Sequence, residues 1–400
     1  MPSFVTHLSC SRCEQLHDHR VPQNLCSCGS PLLVEYDLEG VARSIRKEAV
    51  APRPPTMWLY LELLPVDDPT AVVSLGEGLT PLVPISDLGS RLGLPHLWVK
   101  DDGLNPTGTF KARGAACGVT RCKELDIRSV ALPTAGNAGG AWACYGAAAG
   151  MKVLVGMPSD APLANRSEVL LHGAGLALVD GLIDDAGRVV AERVRKEGWF
   201  DVSTLKEPYR VEGKKTLGFE LAEQFGWEPP DVVVYPAGGG IGLIGIWRAF
   251  QQLGEIGWLQ RDMPRLVVTQ AEGCAPLVRA FEGGREASDA WANPQTLAPG
   301  LRVPNPLGDF LVLRAVRETG GTAVGVSDEE ILWAMAELGR VGVAACPEGA
   351  ATLAAATRLR ERGDIAPADR VVLINTGTAM KYPDALRRAA GLDRGRYPPG

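Results

Sequence analysis

Short apolar runs alternate with longer helix-like stretches through most of this chain. From residue 96, four runs predict buried strands, namely HLWVK, SVALPTAG, KVLVGMP and LALVDG, and a second series follows with DVVVYPAGGG, RLVVTQAEG and RVVLINTG. Strands that alternate with helices are typical of βαβ units and parallel sheets. The pattern therefore predicts two doubly wound α/β domains, with a ligand in the cleft between them at the carboxyl ends of the strands.

The predicted organisation has three parts. Residues 1–38 form a small cysteine-rich module, residues 39–95 plus 200–400 form a large α/β domain, and residues 96–199 form a small one. A Pro-rich stretch, APRPPT to PVDDPT, predicts an extended connection. The main body then begins at SLGEGLTPL.

The cysteine-rich module offers a set of metal ligands. Two pairs of cysteines lie in LSCSRC and LCSCGSPLL: Cys10, Cys13, Cys26 and Cys28. Paired thiolates suit tetrahedral zinc, which also stabilises a segment too small to hold its own core. The second pair is C-x-C rather than the commoner C-x-x-C, so the alternative is that these cysteines bind no metal. The prediction is a structural zinc-ribbon-like module.

The composition and the N-terminal sequence limit which class of protein this chain can belong to and where in the cell it is expected. The chain is 46% hydrophobic, has a formal net charge of −6 and carries no long basic run, which argues against a nucleic-acid binder. It lacks a stretch of about 18 apolar residues, so we predict no membrane span. The N-terminus lacks the apolar core of a secretory signal, which predicts a cytoplasmic protein.

The first motif with a chemical reading is NPTGTFKARGA, centred on Lys111. Its neighbours Phe110 and Ala112 are apolar, and the motif opens a predicted helix. Desolvation and a helix N-terminus both lower the pKa of a lysine amine, which helps the amine to condense with an aldehyde. Taken alone, a lysine that opens a helix is usually a solvated side chain, so the surrounding turn carries part of the argument.

Three further motifs follow strands and end in turns. LPTAGNAGG presents Asn137, VVLINTGTAMKYPD presents Thr376, and VVVYPAGGGIGLIG presents a glycine run: Gly238, Gly239, Gly240 and Gly242. Backbone N–H groups of such a run can wrap a phosphate at a helix N-terminus. Each turn alone also has an ordinary structural explanation, either as a strand–helix connection or as a helix cap.

Together, and in this order, the four motifs resemble those of fold-type II, tryptophan-synthase β-like enzymes that use pyridoxal 5′-phosphate (PLP), and within them the threonine synthases. The resemblance runs from residue 74 to residue 384 and implies that Lys111 forms a Schiff base with PLP. It also implies that Asn137 bonds the phenolic oxygen, that the glycine run holds the phosphate and that Thr376 faces the pyridine nitrogen. The cysteine module is similar to one found on some threonine synthases.

The resemblance further implies a substrate, O-phosphohomoserine, which is converted with water to threonine and phosphate. STLKEPYRVEGKKT is similar to the family's NPxRxEGQKT segment, which implies substrate contacts from Arg210 and Lys215, and Thr134 is expected to add another. Four positions depart from the family pattern: Ala112, Glu207, Thr378 and Ala379. A carboxylate at position 207 would repel a bound phosphate.

These departures leave other functions open. One alternative is a PLP-dependent serine or threonine ammonia-lyase, or a cysteate-synthase-like β-replacement enzyme, which acts on a different small amino acid. An alternative of another class is a non-catalytic metabolite-binding protein, against which the intact Lys111 motif argues. The fold further predicts a homodimer.

Overall fold

The computed structural model describes residues 3–181 and 183–392; residues 1–2, 182 and 393–400, which include the outer ends of two predicted domains, lie outside the described residues. The chain divides into two compact units. The first contains Met1–Leu79, Lys111–Phe219 and Gln252–Trp258, and the second contains Thr80–Phe110, Glu220–Gln251 and Leu259–Gly400.

The strands are β1 Val5–Cys10, β2 Leu16–His17, β3 Leu32–Tyr36, β4 Leu82–Pro84, β5 Leu97–Asp101, β6 Ser129–Pro133, β7 Lys152–Pro158, β8 Gly175–Val179, β9 Phe200–Asp201, β10 Val232–Pro236, β11 Arg265–Ala271, β12 Thr322–Val326 and β13 Val371–Asn375. The α-helices are α1 Leu38–Ser44, α2 Ser86–Arg91, α3 Lys111–Glu124, α4 Asn137–Ala148, α5 Leu163–Leu171, α6 Ile183–Glu197, α7 Tyr209–Gln224, α8 Ile241–Glu255, α9 Pro276–Glu282, α10 Asp309–Glu318, α11 Asp328–Arg340, α12 Pro347–Arg362 and α13 Pro383–Ala389. Short 3-10 helices span Lys47–Ala49, Met57–Leu63, Pro69–Ala71, Asp102–Leu104, Pro106–Gly108 and Ala379–Lys381. Among the described residues, no helix combines the length and the apolar character that a membrane crossing requires.

The first unit holds two sheets. Strands β2, β1 and β3 form an antiparallel sheet in that order, and β8, β7, β6 and β9 form a parallel one. Leu8 and Val34 of the antiparallel sheet are fully buried in the same apolar cluster as Ala115 of α3 and Trp142 of α4. The cysteine-rich module therefore shares its core with two helices of the main body.

The second unit is built on one six-stranded sheet, ordered β12-β11-β10-β13-β5-β4. All neighbours are parallel except β4, which runs antiparallel to β5. Because β10, β13 and β5 are parallel neighbours, their carboxyl ends meet at one edge of the sheet. The predicted α/β class with parallel sheets is confirmed, and the motifs at strand ends in this unit share an edge.

The sheet order differs from the predicted series in one strand. HLWVK, which the sequence groups with the three strands after it, forms β5 and pairs with β13 instead. Strand periodicity identifies a strand but not its partner, because pairing depends on contacts distant in sequence. The predicted domain bounds stay a prediction, since compactness of a unit does not test whether it folds alone.

Candidate active site

The glycine run connects β10 to the long helix α8 in the second unit. Gly240 has a φ of +70°, a conformation that residues with a Cβ rarely adopt. A Cβ at Gly238 would clash with the carbonyl oxygen of Gly300, and one at Gly242 would clash with the Tyr235 hydroxyl. The first N–H groups of α8 have no partner within the helix, and its dipole favours an anion. The loop is therefore a bare-backbone cradle that fits a phosphate group.

Thr376 follows β13, the parallel neighbour of β10, so it lies at the same edge of the sheet as the glycine loop. It is 6% exposed, and its Oγ1 lies 3.5 Å from the Sγ of Cys346. Burial raises the pKa of the Cys346 thiol, which keeps this partner uncharged. The hydroxyl of Thr376 is a neutral hydrogen-bonding group, the kind of group that the family resemblance assigns to the ring nitrogen.

The segment just before Lys111 is bonded to the segment that contains Thr376. The N–H of Phe110 donates to the carbonyl of Thr376 at 3.0 Å, and the N–H of Thr378 donates to the carbonyl of Gly108, also at 3.0 Å. Lys111 follows Phe110 at once, and consecutive α-carbons are about 3.8 Å apart. Lys111 is half-buried and is the first residue of α3. The backbone bridge to Thr376 therefore ends one residue before the predicted reactive lysine.

Asn137 begins α4 in the first unit, after the turn that ends β6. This turn is fixed by two side chains: Thr134 Oγ1 accepts from the N–H of Gly136 at 3.0 Å, and Asn165 Nδ2 donates to the carbonyl of Ala135 at 3.2 Å. Thr134 is thus engaged within its own turn. Sequence reasoning missed Asn165, whose helical setting in α5 gives no local signal of this contact.

Glu77, in SLGEGLTPL, is a second residue that sequence reasoning missed. Its carboxylate is fully buried and accepts from the Nε1 of Trp58 at 2.6 Å and from the hydroxyl of Tyr145 at 2.6 Å. Burial and the nearby carboxylate raise the pKa of Tyr145, so its hydroxyl stays a donor. The sequence signal that could have identified Glu77 is an acidic residue between two glycines. In the structure both glycines, Gly76 and Gly78, have positive φ. Glu77 fixes the start of the main body.

The two predicted substrate cations lie in internal contacts. Arg210 is 3% exposed; its Nη1 donates to Thr204 Oγ1 at 3.0 Å, its Nη2 donates to the carbonyl of Val202, and its guanidinium stacks on the ring of Trp142. Lys215 donates to Glu212, and its Nζ lies 4.1 Å from the ring centroid of Tyr36. The guanidinium of Arg210 and the ammonium of Lys215 therefore stabilise the first unit through these internal contacts.

Glu207, a departure from the family pattern, lies two residues before α7. Its Oε2 accepts from the N–H groups of Tyr209 at 2.8 Å and Arg210 at 3.0 Å, and Oε1 lies 3.2 Å from the Nε of Arg210. Burial raises the pKa of Glu207 from 4.5 to about 7, although Arg210 and the two N–H groups favour the charged form. The side chain is therefore partly protonated near neutral pH.

This shift predicts a pH-dependent stability. Between about pH 4.5 and pH 7 the folded state binds more protons at Glu207 than the unfolded state does, so the free energy of unfolding should fall as pH rises through this window. Glu207→Gln should remove that fall. Denaturant unfolding of both proteins at a series of pH values measures the difference, with exposed Glu39→Gln as control. Parallel pH curves for wild type and Glu207→Gln would contradict the prediction.

The four N-terminal cysteines converge in the structure. The Sγ atoms of Cys10 and Cys28 lie 3.4 Å apart, those of Cys13 and Cys26 lie 3.6 Å apart, and all four lie within 4.8 Å of one another. Tetrahedral Zn–S bonds of about 2.3 Å place neighbouring sulfurs about 3.8 Å apart. The cluster therefore has the size and donor set of a four-thiolate metal site.

Comparison with known proteins agrees with this geometry. The family model described as "Pyridoxal-phosphate dependent enzyme" matches residues 73–377. The chain is 35% identical over 383 residues to the threonine synthase of Methanocaldococcus jannaschii, which covers 95% of this chain and 94% of that protein. It is 36% identical over 383 residues to the threonine synthase of Methanosarcina acetivorans, covering 95% of this chain and 93% of that protein.

A structural comparison identifies the same fold. The processed form of threonine deaminase isoform 2 from Solanum lycopersicum superposes with a TM-score of 0.68 at 21% identity, covering 85% of this chain and 95% of that one. That likeness establishes the fold alone. The family resemblance read from the four motifs is confirmed by the sequence relatives. The chain therefore belongs to the threonine synthase family of pyridoxal-phosphate dependent enzymes.

Proposed function

We propose that this chain converts O-phosphohomoserine and water to threonine and phosphate. The observation that carries the proposal is the backbone bridge from Phe110, the residue before Lys111, to Thr376, which follows the parallel neighbour of the strand that leads into the glycine loop. Similarity to threonine synthases over 95% of the chain supports the choice of substrate.

The residues present fit PLP. The glycine loop, with Gly240 in a left-handed conformation and without room for side chains at Gly238 and Gly242, would hold the phosphate through backbone N–H groups. The buried neutral hydroxyl of Thr376 would bond the ring nitrogen, and Asn137 would bond the phenolic oxygen. When bound, PLP draws electrons from the substrate α-carbon and so makes its proton acidic.

Lys111 would be the proton carrier of the reaction. Its ε-amine, when free, would take the α-proton as general base, release it, and then take a β-proton. Phosphate leaves from the γ-carbon, and water adds its hydroxyl to the β-carbon while the ammonium of Lys111 returns protons to carbon. An amine that acts on adjacent carbons needs a backbone that is fixed in position. The bridge just before Lys111 fixes that backbone.

Glu207 bears on whether a phosphorylated substrate is accepted. A carboxylate at this position would repel the phosphate, but its pKa of about 7 lets the buried group take up a proton near neutral pH. Arg210, bonded to Glu207, adds a positive charge to the same segment. The departure from the family pattern is therefore compatible with the proposed substrate.

Product analysis tests the proposal. Purified protein is incubated separately with O-phosphohomoserine, threonine and serine, and phosphate, threonine and ketoacid are measured. We expect phosphate and threonine in equal amounts from O-phosphohomoserine. Release of ketoacid from threonine or serine without phosphate release from O-phosphohomoserine would instead identify an ammonia-lyase.

We further propose that the four-cysteine cluster binds a structural zinc ion. Its sulfur separations of 3.4 and 3.6 Å are close to those of tetrahedral zinc thiolates. We expect Cys26→Ser to lower the zinc content and the melting temperature while the PLP absorbance is retained. Metal analysis and thermal unfolding measure this, with Cys144→Ser, a half-buried cysteine outside the cluster, as control. Wild type that binds no zinc when zinc is supplied would contradict the proposal.

The homodimer and the cytoplasmic location also belong to this proposal. Dimers are the commonest closed assemblies of soluble enzymes. Sedimentation of the purified protein tests the first, and fractionation of the source cells tests the second.

A further inference from the structure

The segment that leads into Arg210 is held in a strained conformation. It connects β9 to α7, and within it Leu205 is buried and has a φ of 63°. A residue with a side chain stays in this left-handed region only when its surroundings fix it there. Something outside the segment must therefore keep residues 202–208 in place.

Asn24 of the cysteine module supplies that restraint. Its Nδ2 donates to the carbonyl of Asp201 at 2.8 Å and to the carbonyl of Lys206 at 2.8 Å. An asparagine amide has two N–H donors, so one donor serves each end of the segment that contains Leu205. Asn24 thus holds the two ends of the segment together, and we call this pair of hydrogen bonds the clamp. Asn24 also lies two residues before Cys26, a member of the four-cysteine cluster.

The clamped segment in turn holds Arg210. The guanidinium contacts Thr204 Oγ1, the Val202 carbonyl and Glu207, all in residues 202–207. The hydrogen bonds to Thr204 and Val202 engage two of the five N–H groups of the guanidinium, and the ion pair with Glu207 adds a third contact. A shift of the segment would therefore move Arg210, the residue that the family resemblance assigns to the substrate.

A second contact links the cysteine module to the same helix. The hydroxyl of Tyr36, at the end of β3, donates to Glu212 Oε2 at 2.6 Å, and Glu212 also accepts from Lys215. The module therefore contacts α7 at the ion pair of Glu212 with Lys215, and it also contacts the segment before that helix. Both contacts depend on the fold of a module that is built around four cysteines.

We propose that Asn24 is a positioning residue for substrate binding, and that metal in the cysteine cluster acts on substrate affinity through it. The proposal rests on the proposed function, in which Arg210 contributes to binding of the substrate phosphate. The metal fixes the chain around Cys26, Asn24 then closes residues 201–206, and that segment sets the position of Arg210. Cofactor binding does not use this route.

The test compares Asn24→Ala and Asn24→Asp with wild type. Aspartate has the shape of asparagine without its N–H donors and would face two carbonyl oxygens. The control is Gln23→Ala, because Gln23 lies in the same module and contacts Asp18 instead. Hydrogen exchange of peptides that cover residues 201–210 is measured, together with KM, kcat and the PLP absorbance.

Loss of two hydrogen bonds should raise amide exchange in residues 202–207 about 5- to 30-fold and raise KM by a similar factor. We expect kcat, PLP absorbance and exchange in β10 to match wild type and Gln23→Ala. Unchanged exchange would overturn the proposal, and so would faster exchange with an unchanged KM. If the wild type releases no phosphate from O-phosphohomoserine, the proposed function fails, and hydrogen exchange alone then decides whether Asn24 holds residues 202–207 in place.

Removal of the metal tests the second step. A zinc chelator applied to the wild type should raise exchange in residues 202–207 as Asn24→Ala does. Applied to Asn24→Ala, it should add little there, because both changes act through one contact. Equal increases in the two proteins would show that the metal acts by another route and would overturn this part of the proposal.

Discussion

Replacement of Lys111 by alanine should lower kcat at least about 10³-fold and abolish the yellow absorbance of lysine-bound PLP. The amine is expected to carry both the covalent link to the cofactor and the protons of the reaction, so one substitution removes both. The bridge from Phe110 to Thr376 uses backbone atoms and should survive the change. Phosphate release and the absorption spectrum, measured on the same preparation, separate lost chemistry from lost folding.

Two variants make this result specific. Lys123→Ala removes a lysine from the last turn of the same helix and should keep activity and absorbance. Lys111→Arg keeps the positive charge, but a guanidinium stays protonated and does not condense with the aldehyde, so it should be as inactive as Lys111→Ala. Turnover by Lys111→Ala at a rate near wild type would remove Lys111 from the mechanism.

Much of the second unit could be predicted from the sequence because its signals are local. Strands β10 and β13 are apolar runs that end in turns, and the glycine run follows β10 without interruption. A glycine at position 240 is required by its own φ of +70°, which is a property of one residue. Parallel strands place such turns at one edge, so the site follows from the fold class.

The contacts that complete the candidate site could not be predicted, because they join residues far apart in sequence. The bridge between residues 108–110 and 376–378 and the pairing of β5 with β13 have no periodic signal. The same holds for Asn24, whose partners Asp201 and Lys206 lie more than 170 positions away. A polar residue between cysteines is typical of a solvated loop, and only the fold reveals its carbonyl partners.

Lys100 shows how a strand pattern can hide a buried charge. In HLWVK it stands as the polar end of an apolar run, yet in β5 it is fully buried. Its Nζ donates to Glu220 Oε2 at 2.6 Å, to the carbonyl of Thr80 at 2.7 Å and to Gln224 Oε1 at 2.9 Å. Glu220 is also fully buried, so this ion pair lies in the interior of the second unit.

Breaking this pair from one side should be the most destabilising of the changes considered. Glu220→Leu leaves the ammonium of Lys100 buried without its carboxylate, which costs about 3–5 kcal/mol in the free energy of unfolding. Lys100→Met should cost a similar amount, because it leaves the carboxylate without its ammonium. The double variant Lys100→Met/Glu220→Leu removes both charges and should recover most of the loss, since desolvation of the pair no longer opposes folding. Denaturant unfolding of the four proteins measures the coupling, and losses that simply add would show that the two charges do not stabilise each other.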